Sequence, residues 1–71
     1  MKKLKLVDIK AMNNTELVDA LVANAEDMGI AKVYLEADNY NNDEYNVDLL
    51  ITELERRLYE WFCIKHNAHG W

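Results

Sequence analysis

The sequence contains no proline, only two glycines and a single cysteine. Without proline and with so little glycine, long helices can run uninterrupted, and a glycine-rich phosphate-binding loop is excluded. The lone Cys63 excludes a disulfide within the chain and fits a reducing compartment. No apolar stretch approaches the roughly 18 residues that cross a bilayer, and the lysine-rich start lacks the apolar core of a signal peptide. We therefore expect a soluble, unprocessed, cytoplasmic chain whose 71 residues form one domain.

Basic residues are scarce outside the start of the chain. Residues 1–10 hold four lysines and one aspartate, whereas residues 11–60 hold twelve acidic and three basic residues, a net charge of −9. An acidic body repels nucleic acid and anionic lipid. The charge pattern predicts no direct contact with nucleic acid or a membrane, and it favours a protein partner of basic character.

The longest helical pattern covers residues 43–65, where apolar side chains recur at helical spacing. We expect its inner stripe to be Val47, Leu50, Ile51, Leu54, Leu58, Trp61 and Phe62. The opposite side carries charges, among which Glu53 with Arg57 and Arg56 with Glu60 stand four residues apart and can form ion pairs. The pattern predicts that these pairs lie on an exposed face.

An earlier helix is predicted over residues 14–37. Asn13 is its expected N-cap, with Glu16 as the capping-box partner. Its inner line is predicted to be Leu17, Leu21, Ala25 and Met28, widened by Val18 and Val22, with Glu16, Asp19, Glu26 and Asp27 facing outward. Gly29 either ends this helix, leaving a strand or short helix after it, or lies inside it. The apolar line continues in phase through Ala31 and Leu35, which favours the second alternative.

The predicted fold is all-α, an antiparallel hairpin of two helices, about 14–37 and 43–65. The asparagine- and aspartate-rich residues 38–43 are the expected loop, residues 1–12 a basic arm that is extended or forms one helical turn, and residues 66–71 a tail. Two helices cover only the faces between them, so we expect two hairpins to pair as a homodimeric four-helix bundle. The residues predicted to mediate self-association are Val18, Val22, Leu50 and Phe62.

Candidate chemistry is limited to Cys63, His66 and His69, which stand three residues apart. Thiolate and imidazole bind zinc, but a structural site needs a fourth ligand, and this spacing is not that of a zinc finger. A buried thiol with polar tail histidines is the preferred interpretation. We expect no metal, no cofactor, no small-molecule substrate and no enzymatic activity.

Tyrosines alternate with acidic residues around the predicted loop. Aromatic rings supply contact area and carboxylates attract a basic partner, although the tyrosines could instead only pack over the helix ends. The predicted partner-binding residues are Tyr34, Glu36, Asp38, Tyr40, Asp43, Glu44, Tyr45 and Asp48, with Trp71 near the end of the sequence.

The small size, the acidity and the absence of motifs resemble those of small phage or mobile-element proteins. We predict a small acidic protein–protein interaction module that binds and modulates another protein. A narrower version is an inhibitor that mimics nucleic acid and binds a basic nucleic-acid-binding protein. The alternative is a structural subunit of a larger assembly with no regulatory activity.

Overall fold

The computed structural model describes the backbone of residues 1–68 and the side chains of residues 1–63. Residues 1–5 are extended, and three helices follow: α1 (Leu6–Ala11), α2 (Asn14–Val33) and α3 (Ala37–Ala68). Helices α2 and α3 pack against each other as an antiparallel pair, and α1 lies against α3. No strand occurs within residues 1–68. The all-α class and the helical hairpin are confirmed, and the basic arm is an extended segment followed by a short helix.

The start of α2 follows the predicted capping box. The Asn13 side chain accepts a hydrogen bond from the Glu16 backbone N–H at 2.8 Å, and the Glu16 carboxylate accepts one from the Asn13 N–H at 2.9 Å. Two of the backbone N–H groups at this helix start are thereby paired without help from the rest of the fold.

Helix α2 runs through Gly29, as the in-phase apolar line predicts, but it ends at Val33 and not at 37. Leu35 adopts a left-handed backbone conformation with φ 57°. This turns the chain so that the Glu36 N–H donates to the carbonyl of Ala31 at 2.8 Å, which closes the helix as a Schellman-type cap. Most such caps use glycine, because a side chain in this conformation costs about 1–2 kcal/mol.

The predicted loop over residues 38–43 is wrong, because these residues form the first turns of α3 and only residues 34–36 connect the helices. The Glu36 carbonyl accepts the Tyr40 N–H at 2.9 Å, so the helix begins directly after the cap of α2. Asp38 in the first turn places negative charge at the positive end of the helix dipole. Further along, Asp43 and Asn46 form hydrogen bonds with residues far away in the sequence. Such bonds cannot be predicted from the helix propensity of residues 38–43.

The predicted inner face of α3 is also wrong over much of its length. Among its residues up to Cys63, whose side chains the structure describes, the fully or almost fully buried ones are Asp43, Asn46, Leu50 and Glu53, of which three are polar. The members of the predicted stripe that are exposed instead are Ile51 at 39%, Leu58 at 66%, Trp61 at 59% and Phe62 at 54%. Arg57 bonds to Asn14, the first residue of α2, while α3 continues to Ala68, so its C-terminal part extends past the start of α2.

The apolar core is small and lies where α1 meets the two long helices. Ile9, Leu17 and Leu50 are each 0% exposed and form one cluster. The partly buried side chains packed against this cluster are Leu4, Met12, Ala20, Leu21, Leu49 and Leu54. Above it, towards the turn between α2 and α3, the helix interface is filled by polar groups and by the extended residues 1–5.

Candidate functional site

Residues 1–5 are held in an extended form by the side chain of Asn46. Its carbonyl oxygen accepts the Leu4 backbone N–H at 2.7 Å, and its amide nitrogen donates to the Lys2 carbonyl at 2.7 Å. The same amide nitrogen donates to the Asn24 side-chain oxygen at 2.9 Å, and Asn24 in turn donates to the Ala20 carbonyl at 2.8 Å. Asn46 therefore contacts the backbone on both sides of Lys3 as a neighbouring β-strand would, and Asn24 orients it.

The α-amino group of Met1 lies between two carboxylates. It donates to an oxygen of Asp27 on α2 and to an oxygen of Asp43 on α3, both at 2.9 Å. Asp27 is 36% exposed, whereas Asp43 is 0% exposed. The ammonium therefore joins the two long helices at the same point at which it neutralises a buried charge.

The three groups shift one another's proton affinities. Hydrogen bonds to Asp43 and Asp27 raise the pKa of the Met1 α-amino group above 8.0. Burial raises the pKa of the Asp43 carboxyl, and contact with Asp27 acts in the same direction, while the ammonium opposes both. Hydrogen bonding to Asp43 and then to the ammonium lowers the pKa of the Asp27 carboxyl. We refer to Asp27, Asp43, Asn24 and Asn46 as the arm-binding site.

A second buried carboxylate, Glu53, fixes the other end of the hairpin. Its two oxygens accept hydrogen bonds from Arg56 at 3.1 and 2.6 Å and from Arg57 at 2.8 Å. These guanidinium groups lower the pKa of Glu53 from 4.5 to about 2. The same Arg57 donates to the Asn14 side chain at 2.8 Å and to the Met12 carbonyl at 2.7 Å, which ties α3 to the junction of α1 and α2. Both predicted ion pairs are present, but Glu53 is buried and not on an exposed face.

The predicted partner-binding residues divide into exposed and buried members. Exposed are Tyr34, Glu36, Asp38, Glu44, Tyr45 and Asp48, and Tyr40 is half-buried. Asp43 is fully buried beneath the amino terminus, so in this fold it is not available to a partner, which corrects its assignment. The Tyr45 ring lies 5.0 Å from the Lys3 ammonium nitrogen, within range of a cation–π contact. Trp71 lies outside the described residues.

The predicted self-association residues also divide. Val18, Val22 and Phe62 are 47%, 51% and 54% exposed. Leu50 is 0% exposed in the chain's own core, so in this fold it is not available to a second copy, which corrects its assignment. Val18, Val22 and Phe62 therefore lie on the surface of the chain.

One face of α2 is apolar and uncovered. At helical spacing it presents Val18, Val22, Ala25, Gly29 and Val33, all classed as exposed. A Cβ atom added at Gly29 would meet no heavy atom within 4 Å, so this part of the face is open. We call these five residues the α2 apolar face.

Of the weak metal-ligand candidates Cys63, His66 and His69, the structure describes the side chain of Cys63 alone. Cys63 is partly buried and not in a disulfide, while the side chains of His66 and His69 lie outside the described residues. Among the side chains that the structure describes, no group of three histidine, cysteine or acidic residues is placed to hold a metal ion. Over the same part of the chain, every helix is too short or too polar to cross a membrane.

Of the arm-binding site, only Asp43 is among the residues predicted from the sequence to form a site, and Asn24, Asn46 and Asp27 are not. Asn24 lies in phase with the inner line of α2, and Asn46 and Glu53 lie in phase with Leu50 on α3. A polar residue in register with buried apolar ones indicates a buried hydrogen-bonding partner, and this signal was present in the sequence. The partner itself, the backbone of residues 2–4, has no sequence signal, because Asn46 recognises main-chain atoms.

Comparison with known protein families, with curated proteins and with solved structures finds no match for this chain.

Proposed function

We propose that this chain is a small acidic protein–protein interaction module that dimerises through α2 and binds a basic partner protein through its acidic and tyrosine-bearing surface. The observation that supports it most directly is the α2 apolar face. Val18, Val22 and Val33 leave between 47% and 75% of their surface accessible along one side of a 20-residue helix. Apolar surface that is contiguous and uncovered is typical of a contact site.

The shape of the chain supports the same proposal. Its dimensions are 53 × 21 × 16 Å and its accessible surface is 5458 Å². A compact protein of this mass exposes about 4600 Å². The excess of roughly 900 Å² reflects the elongated shape, in which both long helices keep exposed apolar side chains.

A second copy of the chain is the proposed occupant of the α2 apolar face, which gives a four-helix bundle. Ala25 and Gly29 allow close approach of two helices, and Val18 and Val22 supply the buried area. Asp19 and Glu26 lie beside this face, so two copies bring like charges together. Self-association should therefore become stronger as salt screens this repulsion.

The test is the oligomeric state by sedimentation velocity, with Val22→Glu as the disrupting variant and Asn41→Glu, an equal charge change on the exposed surface of α3, as its control. The wild type and Asn41→Glu should sediment as dimers at micromolar concentration. Val22→Glu should sediment as a monomer with unchanged helical content. A monomeric wild type at high micromolar concentration would contradict the dimer.

The basic partner is proposed for the exposed acidic side of α3. Glu44, Asp48 and Glu55 are exposed and follow one face of the helix, with Tyr45 beside them. Carboxylates at such spacings attract a basic protein surface, and a nucleic-acid-binding protein is the narrower version of this proposal. The proposed contact predicts binding that weakens steeply with salt, the opposite of the dimer.

Capture with immobilised chain, repeated at low salt and at about 0.5 M salt, distinguishes the two contacts. The partner should be retained at low salt and released at high salt, and Glu44→Gln with Asp48→Gln should weaken its retention. If equal amounts of the partner are retained at low and at high salt, the proposal that the chain mimics nucleic acid is contradicted.

The alternative, a structural subunit of a larger assembly, is favoured by the small core. Within the described residues only Ile9, Leu17 and Leu50 are large apolar side chains that are fully buried. A chain with so little buried apolar area is of marginal stability alone. The isolated chain of an assembly subunit should show no sharp thermal unfolding transition, and such a transition should appear when its partner is added. This result would support the assembly subunit over the modulator.

A further inference from the structure

The arm-binding site contacts residues 1–5 almost entirely through main-chain groups and the terminal charge. Asn46 pairs with the Lys2 carbonyl and the Leu4 N–H, and the two aspartates hold the α-ammonium. The contributing side chains from this segment are Leu4, which packs against the core, and Lys3, which lies over Tyr45. Contacts of this kind recognise an extended peptide by its start and its backbone.

The buried carboxyl group of Asp43 favours a cation at this position. Asp43 is 0% exposed, and its second oxygen, Oδ2, has no hydrogen-bond donor among the described side chains. A carboxylate withdrawn from water needs a positive charge or several donors to remain ionised. Among the ion pairs of the described residues, the one cation bonded to Asp43 is the Met1 ammonium at 2.9 Å.

We propose that Asp27, Asp43 and Asn46 form a binding site for the free amino terminus of a polypeptide, filled in this fold by residues 1–5 of the same chain. The ligand class is an unacylated α-ammonium followed by an extended backbone with an apolar fourth residue. This site is separate from the α2 apolar face and from the acidic surface of α3, so it stands whether or not the proposed function does.

Selectivity against an acylated terminus follows from the geometry. An Nα-acyl group turns the ammonium into a neutral amide with a single N–H, which removes the charge and at least one of the two hydrogen bonds to Asp27 and Asp43. It also puts a carbonyl oxygen beside two carboxylates. The site therefore disfavours an acylated terminus, and acylation of Met1 weakens the attachment of the arm to α2 and α3, leaving the bonds of Asn46 to Lys2 and Leu4.

The test uses the full 71-residue chain made in three forms by chemical synthesis: with a free α-amine, Nα-acetylated, and Nα-monomethylated. The methyl form adds bulk but keeps the positive charge and two N–H donors, so it is the matched control. The readouts are the hydrogen-exchange rate of the Leu4 amide, which Asn46 protects, and the thermal midpoint.

In the acetylated chain the Leu4 amide should exchange about tenfold faster or more, and the thermal midpoint should fall. The methylated chain should resemble the free amine. Asp27→Asn in the full chain should reduce the effect of acetylation, because one of the two carboxylates that bind the ammonium is lost. Equal Leu4 exchange in the free and acetylated chains overturns the proposal, and so does a methylated chain that behaves like the acetylated one.

A trans-binding measurement tests the ligand class directly. The free-amine peptide Met-Lys-Lys-Leu-Lys should compete with the weakened arm of the acetylated full chain and raise its thermal midpoint. The Nα-acetylated peptide should not. Equal effects of the two peptides overturn recognition of the α-ammonium.

Discussion

Replacement of Glu53 by glutamine tests the buried charge cluster that holds α3 to the start of α2. Glu53 is 3% exposed and accepts three hydrogen bonds from Arg56 and Arg57. In the variant, an amide NH₂ faces guanidinium N–H groups, so donors oppose donors and both arginines lose their counter-charge. Arg57 is then held less firmly against Asn14 and Met12.

The magnitude follows from the shift of the Glu53 pKa from 4.5 to about 2. At 1.36 kcal/mol per pKa unit the full effect would be about 3.4 kcal/mol. Because Arg56 is 47% exposed, solvent screens part of this interaction, and we expect about 2 kcal/mol at neutral pH. A chain of this size has a total stability of roughly 4–10 kcal/mol, so the loss is a large fraction of it.

The pH dependence has a definite sign. The folded-state pKa of Glu53 lies below its unfolded value of 4.5, so its contribution is present above that value and is lost as the pH falls towards 2. The wild type and Glu53→Gln should therefore differ in stability at pH 7 and become equally stable near pH 2.

The assay is urea unfolding followed by circular dichroism at neutral and acidic pH. With an m-value of about 1 kcal/mol/M, the midpoint of Glu53→Gln should fall by roughly 2 M at pH 7. Glu55→Gln removes the same charge from an exposed position on the same helix and is the control, with little expected change. Equal midpoints for the two variants at pH 7, or an unreduced difference between Glu53→Gln and the wild type near pH 2, would refute the reasoning.

Four further predictions concern the arm and the helix ends. Asn46→Ala leaves the arm's backbone groups unpaired and should lower the free energy of unfolding by about 1–3 kcal/mol, whereas Asn41→Ala on the exposed surface should change it little; equal effects in urea unfolding would contradict this. Leu35→Gly relieves the positive φ and should raise stability by about 1 kcal/mol, while Leu35→Ala, which keeps the strain, should bring no gain in thermal melting. Gly29→Ala should stabilise the monomeric helix by about 0.5–1 kcal/mol, because the added Cβ meets open space, and a lower melting temperature at low concentration would count against it. The raised pKa of the Met1 ammonium gives a contribution that is present below 8.0 and is lost as the pH rises above that value, so the melting temperature should fall above pH 8 in the free chain but not in its Nα-acetylated form.

Local signals in the sequence determined the helical class and the start of α2. The capping box of Asn13 and Glu16 involves residues three apart, so no distant part of the chain is needed to form it. Continuation of α2 through Gly29 was equally local, because the apolar line keeps its phase across that residue. The ion pairs of Glu53 with Arg57 and of Arg56 with Glu60 follow from helical spacing alone.

Tertiary structure decided which face of α3 is buried, where that helix begins, and what Asp43 and Asn46 contact. Residues 38–43 resemble a loop by composition, yet they form the first turns of α3, where the amino terminus, more than 40 residues away, supplies a charge to Asp43 and, further along the helix, backbone partners to Asn46. Glu53 resembles a surface residue, yet two arginines compensate its charge and allow its burial. Sequence periodicity reports apolar surface, and it cannot report hydrogen bonds to main-chain atoms or to a terminal ammonium, because those groups are common to every chain.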